Sequence, residues 1–399
     1  MIPAAHRPAR ITTLVVAFLF VATWYFYPPE VATRRQQQSL HVDADADKAE
    51  AHTAAPLPAS PRSKIAKVTL ATNALVDSAI HRALDTHRRQ NDMHGYNFFV
   101  GERQAVSRAI EHDTKHRAAG AWTKPAYLLS IIVAELQKAE EARLEWVFWF
   151  DADTVVLNPY TPLELFLPSR SKHELGSICL VIGSNWDGLN SGVFGLRVDP
   201  WSVSLLSAVL AYPIYELKRQ RQDKFRDQSA FQWLLVDVES SPLARNSPFF
   251  ARDRWAEVPM RWFNALPFNN AFSKEGKWLI SEPMTSSSFD QGTDDVYDDG
   301  HPPVVQPWKV MRGDMVVHFA GTSAASRQPG RDVRDSWIGP WTERAEAMLP
   351  EWANATTQEM LREETRMFWE RIAEKWATAR IQAREKFQPA AQRRQQKEV

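Results

Sequence analysis

Asp151-Ala152-Asp153 sets two carboxylates one residue apart, directly after the apolar run Trp146-Val147-Phe148-Trp149-Phe150. That run is too short for a helix and suits a central strand buried on both faces. Ligands of open α/β sheets bind beyond the carboxyl ends of the strands. Two carboxylates placed there are costly without a cation or strong hydrogen bonds. A hard divalent cation relieves both charges, and oxygen ligands favour magnesium or manganese. Turn or helix capping is the plainer alternative. Residues 311–321 read as a late strand with His318 near its end. That histidine is an ordinary surface or core residue unless the fold brings it to Asp153. Gly188-Leu189-Asn190-Ser191-Gly192-Val193-Phe194-Gly195 alternates small residues with an apolar strand. Its glycines allow close backbone approach by a ligand, or simply form a turn into a strand. Asp227, in Phe225-Arg226-Asp227-Gln228, precedes a helix over 229–236 and on its own reads as an N-cap.

These groups need elements to position them. Residues 67–72 and 96–100 are β-rich, and 73–90 between them carries Leu75, Ile80 and Leu84 on one side of a helix. The order strand, helix, strand predicts a parallel α/β sheet. Trp122-Thr123-Lys124-Pro125 opens a helix, with Thr123 as cap and Pro125 in the first turn. Leu128, Ile131, Ile132 and Leu136 follow at helical spacing. Asp199-Pro200 starts a further helix through Leu210, with Asp199 at the N-cap. Residues 357–386 form a charged helix with an apolar stripe of Leu361, Phe368, Ile372 and Trp376, which packs on the domain or on a partner helix. The tail after Pro389 is polar and reads as frayed. Trp262, Phe263 and Asn264 line a pocket or pack in the core.

The chain has 399 residues, 44% of them hydrophobic and 24% charged, and 48 basic residues balance 48 acidic ones. No basic excess supports nucleic-acid binding. One cysteine, Cys179, can form neither an intrachain disulfide nor a cysteine-based zinc site. The 16 Trp residues fit aromatic platforms for sugars as well as a large core. Residues 11–29 hold no charge, follow Arg7 and Arg10, and close on Trp24, Tyr25 and Tyr27. As a helix they span about 28 Å, close to a bilayer's hydrocarbon thickness. The flanking arginines keep the N-terminus cytosolic. The expected division is a cytosolic tail over 1–10, a signal anchor over 11–29, a disordered stem over 30–64 and a luminal catalytic domain over 65–350. A C-terminal helix and polar tail over 351–399 completes it. Asp43, Asp45 and Asp47 belong to the stem and read as solvated. The acidic 285–307 segment reads as a solvated loop without EF-hand spacing. Asn354-Ala355-Thr356 is a glycosylation sequon, usable if luminal.

Taken in order, Ala121-Trp122-Thr123-Lys124, Glu145 through Asp153, Gly188-Leu189-Asn190-Ser191-Gly192, Asp227-Gln228-Ser229-Ala230 and His318-Phe319-Ala320-Gly321 resemble glycosyltransferase family 34. That family groups fungal Golgi α-galactosyltransferases and α-mannosyltransferase subunits with plant xyloglucan xylosyltransferases. The resemblance covers about residues 65–345. It implies a GT-A type, Rossmann-like α/β domain, type II membrane topology in the Golgi, and sugar transfer from a nucleotide diphosphate donor with retention. It places Asp151, Asp153 and His318 on a metal, manganese by its mixed oxygen and nitrogen ligands. Lys124, Asp151 and Asn190 fall on donor-binding positions, and Asp227 and Gln228 on the catalytic positions near the reacting sugar. Galactose from UDP-galactose is the favoured transfer, GDP-mannose the alternative, and a mannose-containing glycan on protein or lipid the acceptor. Thr322-Ser323-Ala324-Ala325-Ser326-Arg327 stands where relatives often carry cysteines and sometimes a lysine. Arg327 is there a candidate for the diphosphate.

Two rivals come from other classes. Asp151-Ala152-Asp153-Thr154-Val155 also looks like the nucleophile motif of haloacid dehalogenase-type phosphohydrolases, but that motif opens its domain, and here strand and helix sequence precedes it. A non-catalytic subunit of a Golgi mannosyltransferase complex is the other, with the C-terminal helix as docking surface.

Overall fold

The computed structural model describes residues 63–71, 78–102, 119–170, 172–185, 187–216, 225–237, 253–267, 310, 313–320, 333–352 and 355–395. The apolar run 11–29, nearly all of the stem, the 285–307 loop, Arg327 and Asn354 lie outside them. Among the described residues no helix is long and apolar enough to cross a membrane.

The sheet begins with β1 (Ile65–Leu70), α1 (Ser78–His94) and β2 (Asn97–Gly101), followed by α2 (Ala119–Leu136) and β3 (Trp146–Phe150). β4 (Thr154–Val156), β5 (Leu180–Asn185), β6 (Gly188–Arg197), α3 (Pro200–Tyr215), α4 (Asp227–Leu235) and β7 (Trp255–Glu257) come next. The last elements are β8 (Val316–His318), α5 (Val333–Ala347), α6 (Leu349–Trp352) and α7 (Ala355–Gln395). Six strands form the main sheet in the order β2-β1-β3-β6-β5-β7, and β4 pairs with β8 in a second sheet. The expected parallel arrangement holds for β2, β1 and β3. It fails beyond them: β6 runs antiparallel to both β3 and β5, while β7 is parallel to β5. The short turn from β5 into β6 forms a hairpin, which leaves no chain for a crossover.

β3 shows why its five residues are all apolar. Val147 and Trp149 enter the core beneath α2, α3 and α4, with Trp122, Leu205 and Phe231. Trp146, Phe148 and Phe150 enter the opposite core, with Phe166, Trp262 and Phe263. Both faces are covered, so alternation has no polar side to show. α7 closes the second core through Trp369, with Leu361, Phe368, Ile372 and Trp376 against it. It runs past Pro389 to Gln395, where the sequence reads as frayed. Trp262 and Phe263 are thus core residues.

Two local expectations are corrected. Trp122, Thr123 and Lys124 sit inside α2, which is already helical at Ala119, so Thr123 is not its cap and Pro125 is interior. The Thr-x-Pro pattern imitates a helix start, but burial of Trp122 and Thr123 carries the helix through it. Among the described residues the late strand is Val316–His318, paired with the three-residue β4. Asp199 does cap α3, accepting from the Trp201 backbone N–H at 2.8 Å.

Candidate metal and donor site

Asp151 follows β3 in the main sheet and Asp153 precedes β4 in the small one, so the acidic pair lies on the link between the two sheets. The Asp151 N–H donates to the Gly192 carbonyl at 2.8 Å and extends the β3–β6 ladder to the first carboxylate. In the small sheet Thr154 stands opposite His318. The Phe319 N–H donates to the Asp153 carbonyl at 2.9 Å, and the His318 N–H to that of Ala265 at 2.7 Å. This pairing brings His318 to the acidic pair across more than 160 residues of chain. His318 Nε2 lies 3.5 Å from Asp153 Oδ1 and 3.9 Å from Asp151 Oδ2. One ligand atom from each of the three falls within 4.8 Å of the others. The His318 side chain is buried, while those of Asp151 and Asp153 keep 31% and 19% exposure, so the carboxylates open the site to solvent.

Beside them lies a buried ion-pair chain. Lys124 Nζ is 3.0 Å from Asp151 Oδ1 and 3.1 Å from Asp227 Oδ2. It also donates to the Ser191 carbonyl at 3.0 Å and lies 5.4 Å from the centre of the Trp149 ring. Burial opposes the Lys124 charge, but the two carboxylates outweigh it and hold its pKa above the ordinary lysine range. Burial pushes Asp227 up from the carboxylate range against the pull of Lys124, and the Asp151 charge adds to that rise. Both shifts point upward: at Lys124 two carboxylates outweigh burial, and at Asp227 burial outweighs a single cation. Asp227 is not the cap expected of it. It is the first residue of α4, and its Oδ2 accepts from Ser191 Oγ at 3.0 Å. Arg226 before it has φ 49°, a left-handed backbone that costs a non-glycine residue about 1–3 kcal/mol. Gln228 Oε1 accepts from the Ser191 N–H at 3.3 Å, docking the start of α4 on β6.

Asn190, expected on the donor side, is buried; its Oδ1 accepts from the Gly192 N–H at 2.9 Å and from Asn264 Nδ2 at 2.9 Å. Gly192 makes room for His318 rather than directly for a ligand.

Sequence reasoning misses two members of this assembly and leaves a third, Asn264, open between a pocket and the core. Trp149 Nε1 donates to Asp151 Oδ1 at 2.7 Å. That oxygen is thereby shared between Trp149 and Lys124, leaving Oδ2 as the atom turned to His318. His87, on α1, has Nε2 at 3.2 Å from the Thr154 carbonyl and 3.0 Å from its hydroxyl, pinning β4 just after Asp153. Burial, with the charge of Lys67, holds the His87 pKa well below its ordinary range, which favours the neutral imidazole. Periodicity over 73–90 offered no sign that His87 points at a distant strand.

The donor set fits a divalent cation. Two carboxylates and an imidazole converge, and among Asp151, Asp153, Asp227 and Lys124 the acids outnumber the ammonium by two.

Galactomannan galactosyltransferase 1 of Cyamopsis tetragonoloba is 24% identical to this chain over 223 residues, 49% of this chain and 48% of that protein. An uncharacterized alpha-1,2-galactosyltransferase of Schizosaccharomyces pombe is 22% identical over 207 residues, 46% of this chain and 53% of that one. The match thus spans about half the length of these relatives. The solved structure of a glycosyltransferase involved in the glycosylation of the major capsid of PBCV-1 covers 70% of this chain and all of its own. It is 14% identical with a TM-score of 0.42, too slight a likeness to assign the fold. The model of the galactosyl transferase GMA12/MNN10 family matches residues 77–328, which contain every residue of the site just described. With well over half of its length matched, the chain belongs to that family, glycosyltransferase family 34.

Proposed function

We propose that this chain is a metal-dependent, retaining hexosyltransferase of GT-A architecture that takes its sugar from a nucleotide diphosphate donor. The convergence of Asp151, Asp153 and His318 beside the Lys124–Asp227 pair carries this reading. Asp151 through Oδ2, Asp153 through its carboxylate and His318 through Nε2 would hold the metal. When bound, manganese supplies positive charge to the diphosphate as the sugar–phosphate bond breaks. Lys124 keeps Asp151 and Asp227 at fixed places in that field. Asp227, held by Lys124 and Ser191, and Gln228, held by the Ser191 N–H, are the groups that orient the sugar and favour its oxocarbenium-like charge. Family membership and the two galactosyltransferase names favour UDP-galactose over GDP-mannose, with a mannose-containing glycan as acceptor. Residues 11–29 would anchor the chain in the Golgi membrane, with 30–64 as stem and 65–350 luminal. Mannosyltransferase-complex subunits of the family are the partners this allows.

The test is nucleotide release by the full chain in detergent, with manganese and a mannose-terminated acceptor. UDP-galactose, GDP-mannose, UDP-glucose and UDP-xylose are compared, each with a chelator control. Acceptor-dependent, chelator-sensitive release from UDP-galactose is expected. A folded chain that releases nucleotide from none of the four overturns the reading. Asp153→Ala is expected to abolish transfer while the circular dichroism spectrum stays native, and near-normal turnover would remove Asp153 from the site.

A further inference from the structure

The hydrogen bonds behind His318 determine which of its nitrogens carries the proton. The Gly192 backbone N–H can only donate. The Asn190 side-chain atom 2.9 Å from it is therefore the carbonyl oxygen. That same oxygen lies 2.9 Å from an Asn264 side-chain atom, which must then be the amino nitrogen. The Val193 carbonyl, 3.5 Å away, faces the same nitrogen and demands a donor there too. Asn264 is thus oriented with its oxygen toward His318 Nδ1, at 2.8 Å. An amide oxygen accepts only, so Nδ1 is the protonated nitrogen. In a neutral imidazole this leaves Nε2 with its lone pair, turned to Asp153 and Asp151 at 3.5 and 3.9 Å. Asn264 is completely buried and Asn190 nearly so, so water does not compete for these bonds.

We propose that Asn264, itself held by Asn190, is a positioning residue that locks His318 in the Nδ1–H tautomer and so presents Nε2 as a metal ligand atom. The proposal rests on the metal reading above. It also reassigns Asn190, whose oxygen serves this chain of bonds.

The experiment uses the full chain, metal-free and labelled with ¹⁵N-histidine. Long-range proton–nitrogen correlations distinguish the two tautomers, and the His318 signal is the one missing in His318→Gln. The wild type is expected to show the Nδ1–H pattern. Asn264→Leu and Asn190→Leu are expected to show mixed tautomers and manganese binding weaker by about 10- to 100-fold in calorimetry. Asn190→Asp keeps an oxygen for both donors and is expected to retain the wild-type pattern. An Nε2–H pattern in the wild type overturns the proposal without any variant. Unchanged tautomer and manganese affinity in a folded Asn264→Leu does the same. A wild type with the Nδ1–H pattern that binds no manganese supports the lock and overturns the metal reading it serves.

Discussion

A Cβ on Gly192 would stand 2.0 Å from His318 Cε1 and 2.5 Å from Nδ1. No side chain tolerates such distances, so Gly192→Ala must push the imidazole away from the two carboxylates. A displacement of about 1 Å can lower a rate by about 100-fold. A loss of kcat/KM of that order, with an intact fold, is expected in donor-transfer assays of Gly192→Ala. Gly188 has a different constraint: its φ is 95°, and a Cβ there would stand 2.6 Å from Gln232 Oε1. Gly188→Ala is therefore a stability variant, expected to cost about 1–2 kcal/mol in urea unfolding for the backbone alone. The one cysteine is chemically quiet. Burial pushes the Cys179 thiol up to about 12, with the nearby Asp199 charge adding to it. Cys179 is expected to resist thiol reagents at mildly alkaline pH in the native chain and to react after denaturation; fast native labelling would refute its burial.

At the scale of elements, α7 is fastened to the domain by polar contacts around an aromatic patch, among them a half-exposed Lys172–Glu370 ion pair at 3.5 Å. Trp262 Nε1 donates to Glu364 at 2.8 Å, and the Trp262 ring meets Phe368 edge-on at 4.8 Å. Next to it Arg261 and Asp314 form a buried two-bond pair at 2.8 and 3.1 Å. Burial raises the Glu364 pKa, against the opposing pull of Trp262 and Arg261. An acid whose folded pKa lies above its unfolded value destabilises the fold when ionised. Lowering the pH from neutral through the folded pKa therefore strengthens the docking of α7, the reverse of an ordinary salt-bridged acid. Glu364→Gln keeps an oxygen for Trp262 and is expected to leave the thermal midpoint equal or higher at neutral pH. Glu364→Leu leaves the indole N–H without this acceptor and is expected to cost about 1–3 kcal/mol. Equal midpoints for the two variants would show that the contact does not hold α7.

For the molecule as a whole, the expected anchor and the described domain make separate predictions. An apolar helix of about 28 Å keeps a chain in the bilayer when peripheral proteins are stripped. The full chain is expected to stay with membranes through an alkaline carbonate wash. Its release by that wash would refute the anchor without touching the candidate site, whose residues lie between His87 and His318.

Short-range order was legible in the sequence. The buried strand before Asp151, the Asp199-Pro200 start of α3 and the apolar stripe of α7 were readable because periodicity and capping act over a few residues. So was the acidic pair at the end of that strand, on which the metal reading rests. What lies far apart in sequence was decided by tertiary structure alone. The β4–β8 pairing that sets His318 opposite Thr154, the Lys124–Asp227 ion pair and the Asn190–Asn264–His318 chain join segments dozens to more than a hundred residues apart. No local pattern encodes such partners, because the free energy that selects them comes from packing two sheets and their helices together. For the same reason Thr123 and Asp227, both natural caps by local rule, became buried parts of the core and of the site.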